Sequence, residues 1–139
     1  MVDLFGIPQN GSRGRVLVVD DEADVRKAVT LGLTKSGYEV IEAEDGKKAV
    51  EVMSSGDNPL AVDLIICDIR MPKVNGVEAI SYFRKQYPSR PIIVLTGFPD
   101  VQLATSLMKQ GVADYLIKPV ERDKLAAAVD SAMKQHGRV

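Results

Sequence analysis

Five short apolar runs alternate along the chain with segments whose apolar residues recur every three or four positions. The apolar runs predict strands over 16–19, 38–43, 62–67, 92–95 and 115–117. The amphipathic segments predict helices over 24–35, 45–54, 77–86, 99–110 and 121–135. Apolar runs without alternation are typical of parallel strands that are covered on both faces. The pattern therefore predicts five β-α units, with the stretches 56–59 and 71–76 as loops.

This alternation of strands and helices predicts an α/β fold with one open parallel sheet and helices on both faces. The 139 residues are too few for an eight-unit barrel, which needs about 250 residues. Residues 1–14 hold three glycines and a proline without sustained periodicity, and they predict a flexible tail. We expect one domain over 15–136, followed by a short C-terminal end over 137–139.

The composition is that of a folded protein, with 45% hydrophobic and 27% charged residues. One cysteine and one histidine exclude a disulfide framework and a zinc cluster, so any metal would be held mainly by oxygen. The net charge of −1 indicates neither direct nucleic-acid binding nor an anionic membrane surface. The sequence shows no signal peptide and no long apolar span, so we expect a cytoplasmic protein.

Chemically reactive side chains follow the ends of four predicted strands. They are Asp20 and Asp21, Asp68, Thr96, and Lys118. Ligands of open α/β sheets bind beyond the carboxyl ends of the strands. Three carboxylates at one edge repel one another, and a hard divalent cation relieves that repulsion. The pattern therefore predicts a Mg²⁺ site at this edge.

A cation beside a lysine and a hydroxyl suits a phosphoryl group. The sequence lacks the glycine-rich phosphate-binding loop G-x-x-x-x-G-K-[ST], so a bound nucleotide is not indicated. The phosphoryl group would therefore be carried by the protein itself. Asp68 is the best placed nucleophile, because carboxylates form aspartyl phosphates when a metal neutralises the developing charge. An aspartate at a strand end is often only a helix cap, but the combination with Thr96 and Lys118 argues against that interpretation.

Four separated motifs resemble the receiver domain of two-component response regulators. They are V-L-V-V-D-D-E at 16–22, D-L-I-I-C-D-I-R-M-P-K-V-N-G at 63–76, I-V-L-T-G at 93–97 and A-D-Y-L-I-K-P at 113–119. The resemblance covers residues 15 to 135. It implies a doubly wound, flavodoxin-like fold with the strand order 2-1-3-4-5, in which the first, third, fourth and fifth strands are neighbours.

The resemblance also implies a role for each acidic residue. Asp68 is expected to accept a phosphoryl group from a histidine kinase or a phosphotransfer protein. Asp21 and Asp68 are expected to ligate Mg²⁺, with Asp20 acting directly or through water. The backbone carbonyl of Arg70 is expected to complete the protein's share of the ligands.

The resemblance also implies which residues respond to phosphorylation. Thr96 is expected to hydrogen-bond the phosphoryl oxygen, and Lys118 to form an ion pair with it from beside a cis Lys118–Pro119 bond. As Thr96 shifts, Tyr115 is expected to turn inward, although core packing is an alternative explanation for this aromatic side chain. The face formed by the helix at 99–110, the strand at 115–117 and the last helix would change and act on a partner or an effector.

Two positions near the phosphoryl group, Arg70 and Phe98, are expected to tune its lifetime, and we predict slow self-hydrolysis. Cys67 reads as a small buried hydrophobic residue. The predicted helix over 99–110 carries Leu103 and Leu107 four residues apart, and either core packing or a contact with a partner would explain this pair.

The leading hypothesis is therefore a phosphorylation-controlled receiver that is not an enzyme. The alternatives are a Mg²⁺-dependent phosphatase that uses Asp68, and a receiver-like module that only binds. Arg70 argues against the phosphatase, because those enzymes commonly have a second acidic residue two positions after the nucleophile, where this sequence has Arg70. The sequence leaves open a stand-alone receiver with a downstream effector, a piece that lacks its own output domain, and a phosphorylation-dependent homodimer.

Overall fold

A computed structural model of the protein describes residues 12–69 and 76–135. The strands are β1 (Arg15–Val19), β2 (Glu39–Ala43), β3 (Val62–Cys67), β4 (Ile92–Thr96) and β5 (Asp114–Ile117). The helices are α1 (Ala23–Lys35), α2 (Gly46–Met53), α3 (Asn58–Ala61), α4 (Gly76–Gln86), α5 (Val101–Lys109) and α6 (Arg122–Gln135). The five predicted strands and the five predicted helices are all present, so the expected α/β fold is confirmed.

The sheet is parallel throughout and has the order β2-β1-β3-β4-β5. One irregularity interrupts the pairing of β1 with β3. Arg15 lies opposite Val62, but Val16 lies opposite Leu64, so Asp63 is an extra residue in β3. The carboxylate of this bulged residue accepts a hydrogen bond from the backbone N–H of Arg15 at 3.0 Å. From Leu64 onward the two strands stay in register.

The sheet separates two hydrophobic layers, and the residues of each strand alternate between them. In β3, Ile65 and Cys67 face the layer that α2, α4 and α5 cover. Leu64 and Ile66 face the layer that α1 and α6 cover. Side chains of successive strand residues point to opposite faces, so this alternation also fixes where the residues just beyond each strand point.

The observed elements differ from the predicted ones mainly at their ends. The short helix α3 lies partly within the predicted loop 56–59, and Pro59 stands in its first turn, where its missing N–H costs nothing. Asp45 and Asp100 precede α2 and α5 as N-caps, and accept hydrogen bonds from Lys48 and Leu103 backbone N–H groups at 2.8 and 3.0 Å.

The pair of leucines in α5 belongs to the core. Leu107 is fully buried, and Leu103 packs against the same hydrophobic layer. The contact with a partner that the sequence left open for this pair therefore does not apply. Leu107 instead helps to hold α5 against the sheet.

Contact with the sheet begins inside the segment predicted as a tail. The backbone N–H of Arg13 donates to the Gly37 carbonyl at 2.9 Å, and the Gly14 carbonyl accepts from Glu39 at 2.9 Å. Gly37 has a φ of 98° after α1, a conformation that favours glycine and ends the helix as expected. The outer boundaries of the domain stay a prediction, because residues 1–11 and 136–139 lie outside the described residues.

Candidate functional site

The two buried aspartates of the site follow neighbouring strands at equivalent positions. Val19 lies opposite Cys67 in the last registered pair of β1 and β3, and Asp20 and Asp68 come next in the two strands. The backbone N–H of Asp68 donates to the Val19 carbonyl at 2.9 Å, which extends the pairing to this residue. The alternation of the strands directs both aspartates to the face that α1 and α6 cover.

The ammonium of Lys118 joins these aspartates. Its Nζ lies 2.8 Å from Asp20 Oδ2, 2.9 Å from Asp68 Oδ2 and 3.1 Å from Glu22 Oε1. Lys118 follows β5 and continues its alternation, so it points to the same face of the sheet as the aspartates. The peptide bond between Lys118 and Pro119 is cis, as the resemblance implied.

The three donor positions of the Lys118 ammonium match the three carboxylates around it. Its side chain is 11% exposed, whereas those of Asp20 and Asp68 are 3% and 4% exposed. Burial disfavours the ammonium form, but the hydrogen bonds to Asp20 and Asp68 outweigh burial and raise the pKa of Lys118. The lysine therefore remains a cation at neutral pH.

Asp20 is fixed on several sides. Its Oδ1 accepts a hydrogen bond from the backbone N–H of Glu22 at 2.9 Å. Its backbone carbonyl accepts one from Arg26 Nη1 at 2.7 Å, while Arg26 Nε donates to Glu42 of β2 at 3.0 Å. Burial is the main influence on the carboxyl of Asp20 and raises its pKa, and the hydrogen bond from Lys118 acts in the opposite direction.

An oxygen-rich cluster completes this edge of the sheet. Asp20, Asp21, Glu22 and Asp68 each offer a carboxylate oxygen, and these oxygens all lie within 4.8 Å of one another. Asp20 and Asp68 are buried, whereas Asp21 and Glu22 are exposed. Such a set of hard donors fits a hard divalent cation of the Mg²⁺ class, which prefers oxygen ligands and keeps some of its water.

Thr96 lies at the end of the adjacent strand but points to the other face of the sheet. Its hydroxyl accepts a hydrogen bond from the backbone N–H of Phe98 at 3.1 Å, and its carbonyl accepts one from the backbone N–H of Lys118 at 2.8 Å. Thr96 continues the alternation of Ile92 and Val94, which face α5. The structure thus places Thr96 beside the backbone of Lys118 and on the face that α5 covers.

Tyr115 shares that face with Thr96. It lies opposite Val94 in the pairing of β4 with β5, while Thr96 lies opposite Ile117, two residues along. The ring of Tyr115 packs against the hydrophobic layer that includes Leu107. Its hydroxyl is buried without a hydrogen-bond partner in the described part of the chain. The packing agrees with the core interpretation, and the position beside Thr96 agrees with the switch interpretation.

Other predicted residues occupy distinct places. Phe98 is 58% exposed and lines the same cavity as Glu22 and Lys118. Cys67 is fully buried, and burial raises the pKa of its thiol, so it behaves as a hydrophobic residue. The expected ligand Arg70 lies outside the described residues. Gly76 begins α4 against the backbone that follows Asp68, and a Cβ there would come within 2.1 Å of the Asp68 carbonyl oxygen.

Two residues of the site were missing from the sequence-based prediction. Glu22 contributes to the acidic cluster and to the ion pair with Lys118. Arg26 supports the turn that carries Asp20. The acidic run D-D-E at 20–22 was the signal for Glu22, whereas the contact of Arg26 with a carbonyl in the preceding turn leaves no signal in the sequence.

Comparison with known proteins agrees with this geometry. The sequence profile of the response regulator receiver domain matches residues 16–130. The chain belongs to the response regulator receiver domain family. It is 37% identical over 120 residues to the transcriptional regulatory protein GlrR of Escherichia coli, covering 86% of this chain and 26% of GlrR. It is 32% identical over 124 residues to FixJ of Bradyrhizobium diazoefficiens, covering 89% of this chain and 58% of FixJ.

Solved receiver domains have the same fold. A response regulator receiver domain protein from Clostridium thermocellum superposes with a TM-score of 0.82 at 30% identity, covering 88% of this chain and 95% of that one. A response regulator receiver protein from Pseudomonas putida superposes with a TM-score of 0.78 at 34% identity, covering 86% and 98%. The protein is thus a receiver domain of the two-component signalling type.

The receiver is similar to only part of its curated relatives. It spans about a quarter of GlrR and somewhat over half of FixJ. None of the helices in the described ranges 12–69 and 76–135 is both long and apolar enough to cross a membrane. Receiver domains of transcriptional regulators are in general not catalytic enzymes.

Proposed function

We propose that Asp68 is the phosphoacceptor of this receiver and that the acidic cluster around it holds Mg²⁺. The observation that carries the proposal is the single ammonium of Lys118 that Asp20 and Asp68 share at 2.8 and 2.9 Å. Two buried carboxylates around one cation form a site that gains from additional positive charge. Asp68 can therefore exchange part of its contact with Lys118 for other partners.

The residues that would hold the cation are the carboxylates of Asp20, Asp21 and Asp68, with the backbone carbonyl of Arg70. When bound, Mg²⁺ neutralises the charge that develops on a phosphoryl group as it is transferred. Asp20 is oriented for this role by the backbone N–H of Glu22 and by Arg26. Asp21 is exposed and can turn toward an incoming ion at little cost.

Lys118 and Thr96 would hold the phosphoryl group on Asp68. The ammonium of Lys118 already lies 2.9 Å from Asp68, so a phosphoryl oxygen on that carboxyl would come within its reach. Thr96 would donate its hydroxyl, which at present accepts from the N–H of Phe98. A shift of Thr96 toward Asp68 would turn this hydroxyl away from the face of the sheet that α5 covers.

Tyr115 would transmit that shift to the surface. Its buried hydroxyl has no partner in the described ranges, so its present position is one that a neighbouring movement can change at low cost. A groove beside Tyr115 is open to solvent and exposes Val101, Met108 and Ile117. The surface of α5, β5 and α6 would thus be the output surface, and it would bind an effector, a covalently linked output domain or a second phosphorylated copy.

We further propose that the protein is a cytoplasmic receiver and is not itself an enzyme. In this proposal it neither binds nucleic acid directly nor inserts into a membrane. A histidine kinase or a phosphotransfer protein would supply the phosphoryl group. The near-neutral net charge of −1 supports a protein partner over nucleic acid. Phe98, which is 58% exposed, and Arg70 would shield the phosphoryl group from water and slow its hydrolysis.

The proposal is tested by incubating the purified protein with acetyl phosphate and Mg²⁺. We expect one phosphoryl group per chain, bound as an alkali-labile acyl phosphate, and no labelling of Asp68→Asn. Asp24→Asn is the matched control, because it removes an exposed acid from the first turn of α1 and should be labelled like the wild type.

Three outcomes would contradict all or part of the proposal. Labelling that persists in Asp68→Asn would place the acceptor elsewhere. Multiple turnover of varied phosphate esters without a stable phosphoprotein would instead identify a phosphatase. Labelling that does not depend on Mg²⁺ would contradict the cation site while leaving Asp68 as the acceptor.

A further inference from the structure

Glu22 closes a ring of hydrogen bonds around the carboxylate of Asp20. Its backbone N–H donates to Asp20 Oδ1 at 2.9 Å, and its own side-chain Oε1 accepts from Lys118 Nζ at 3.1 Å. Lys118 in turn donates to Asp20 Oδ2, 2.8 Å away. One residue thus contacts both members of the buried ion pair, through its backbone on one side and its side chain on the other.

The side chain of Glu22 is not used where its position in the chain would suggest. Glu22 is the N-cap residue of α1, and acidic N-caps usually accept hydrogen bonds from the first turn of their helix. Here the side chain makes no capping hydrogen bond and reaches instead to Lys118, 96 residues away in the sequence. A role in starting α1 therefore does not explain the direction of this carboxylate.

The three carboxylates around Lys118 differ in exposure. Those of Asp20 and Asp68 are 3% and 4% exposed, whereas that of Glu22 is 61% exposed at the open side of the site. A divalent cation in the cluster would compete with Lys118 for the two buried aspartates. Glu22 would then be the partner that the ammonium keeps.

We propose that Glu22 is a positioning residue, which holds the ammonium of Lys118 beside Asp68 while a divalent cation occupies the buried aspartates. This role rests on the proposed cation site and adds a residue to it. Without Glu22, an ammonium that lost Asp20 and Asp68 to a cation would turn toward water. With it, the lysine stays next to the carboxyl that receives the phosphoryl group.

The test measures the hydrogen-exchange rate of the Lys118 ammonium by NMR in ¹⁵N-labelled protein, with and without saturating Mg²⁺. In the wild type we expect this rate to change little when Mg²⁺ binds. In Glu22→Gln, which keeps the length but loses the charge, we expect Mg²⁺ to speed exchange roughly two- to fivefold, as suits a partly exposed ion pair.

A second variant separates contact from general charge. Glu22→Asp keeps the charge but is one methylene shorter, so it loses the 3.1 Å contact, and an aspartate at this N-cap favours α1. We expect the same Mg²⁺-dependent increase in exchange as in Glu22→Gln. The control Asp24→Asn removes a nearby exposed acid and should behave like the wild type.

Each other outcome overturns a defined part of the proposal. If Mg²⁺ speeds the exchange of the Lys118 ammonium in Glu22→Gln but not in Glu22→Asp, Glu22 acts only through its negative charge and not through its contact with Lys118. A weaker affinity for Mg²⁺ in both variants with unchanged exchange at Lys118 would make Glu22 a metal ligand. If Mg²⁺ shifts no amide signal near Asp20 and Asp68 in the wild type, the proposed cation site itself is wrong.

Discussion

Arg15 at the amino edge of the sheet and Lys118 at its carboxyl edge each lie among several acids, and the two edges differ in how those charges are matched. At the amino edge, Arg15 pairs with Glu39 at 2.7 Å and with Asp57 at 2.8 Å, and also donates to Asn58 at 2.9 Å. At the carboxyl edge, the smaller ammonium of Lys118 serves three carboxylates.

The chemistry of the two cations explains the difference. A guanidinium has five N–H donors in a planar fork, so Arg15 can satisfy separate acceptors in fixed directions. The side chains of its partners Glu39 and Asp57 are 44% and 73% exposed, which leaves them solvated. Within the ranges 12–69 and 76–135, the close group of carboxylates lies only at the carboxyl edge. The ion pairs at the amino edge therefore need no further cation. At the carboxyl edge, the carboxylates carry more negative charge than Lys118 can neutralise.

Removal of each cation gives the largest expected contrast. Lys118→Met leaves two buried carboxylates without a counterion and should lower the free energy of unfolding by about 3 kcal/mol at pH 7. Arg15→Met leaves acids that water can solvate and should cost about 1 kcal/mol. Urea unfolding measures both, and Mg²⁺ should recover part of the loss only in Lys118→Met. Equal losses in the two variants would remove the distinction between the edges.

Addition of Mg²⁺ should stabilise one edge alone. At ten times its dissociation constant, Mg²⁺ should raise the free energy of unfolding by about 1.4 kcal/mol. Asp20→Asn should lose this gain, whereas Asp57→Asn, which removes an acid from the amino edge, should keep it. Thermal unfolding with Mg²⁺ or with EDTA measures the effect, and a gain retained in Asp20→Asn would contradict the assigned cluster.

A pH-dependent contact lies on the amino side of β2. Tyr38 donates a hydrogen bond to Asp130, which lowers the pKa of that carboxyl, and Arg13 lies 2.9 Å from the same carboxylate. A lowered pKa contributes stability that is present above the ordinary carboxyl pKa of about 4 and is lost as the pH falls through the lowered value.

Tyr38→Phe removes this hydrogen bond while keeping the buried ring. It should cost about 1 kcal/mol at pH 7. The difference from the wild type should shrink as the pH falls from the ordinary carboxyl pKa through the lowered pKa of Asp130, because the protonated carboxyl no longer gains from the phenol. Urea unfolding at a series of pH values measures it. A difference that stays constant down to the acid transition would show that Asp130 does not titrate through this contact.

The smallest expected effect concerns the exposed rim of the carboxyl edge. Phe98→Ala should shorten the lifetime of the aspartyl phosphate severalfold, because water gains access to the phosphoryl group. Arg70→Ala should act in the same direction, because the resemblance to receiver domains implies that this arginine pairs with the phosphate. The decay of purified phosphoprotein measures both. If neither substitution changes the decay rate, the idea that these residues tune the lifetime is wrong.

The contrast between the edges also shows which features the sequence could predict. Asp20, Asp68 and Lys118 follow apolar strands directly, and parallel strands bring their carboxyl ends to one edge, so their meeting was predictable. The direction of Thr96 was also available from the alternation along β4, although the prediction grouped it with the aspartates. The contact of Glu22 with Lys118 depends on a side-chain conformation and on a partner 96 residues away.

Local features escaped prediction for a different reason. The helix Asn58–Ala61 has only four residues, too few for a periodic pattern. The contact of Arg26 with the Asp20 carbonyl uses a backbone acceptor, which every residue possesses. Element ends shifted by one or two residues because Asp45 and Asp100 act as caps, whereas apolar periodicity locates only the middle of a helix.

The extra residue in β3 has a consequence for how the length of this strand can vary. Asp63 lies in the bulge, so β3 can absorb one residue there without moving its later side chains relative to β1. Between Leu64 and Asp68 the strand has no bulge that could absorb a change in length. A one-residue deletion in that stretch would exchange the two faces, so Asp68 would take the place of Cys67 on the opposite face and Ile69 would lie beside Lys118. Natural length variation in this strand is therefore expected before Leu64 and not after it.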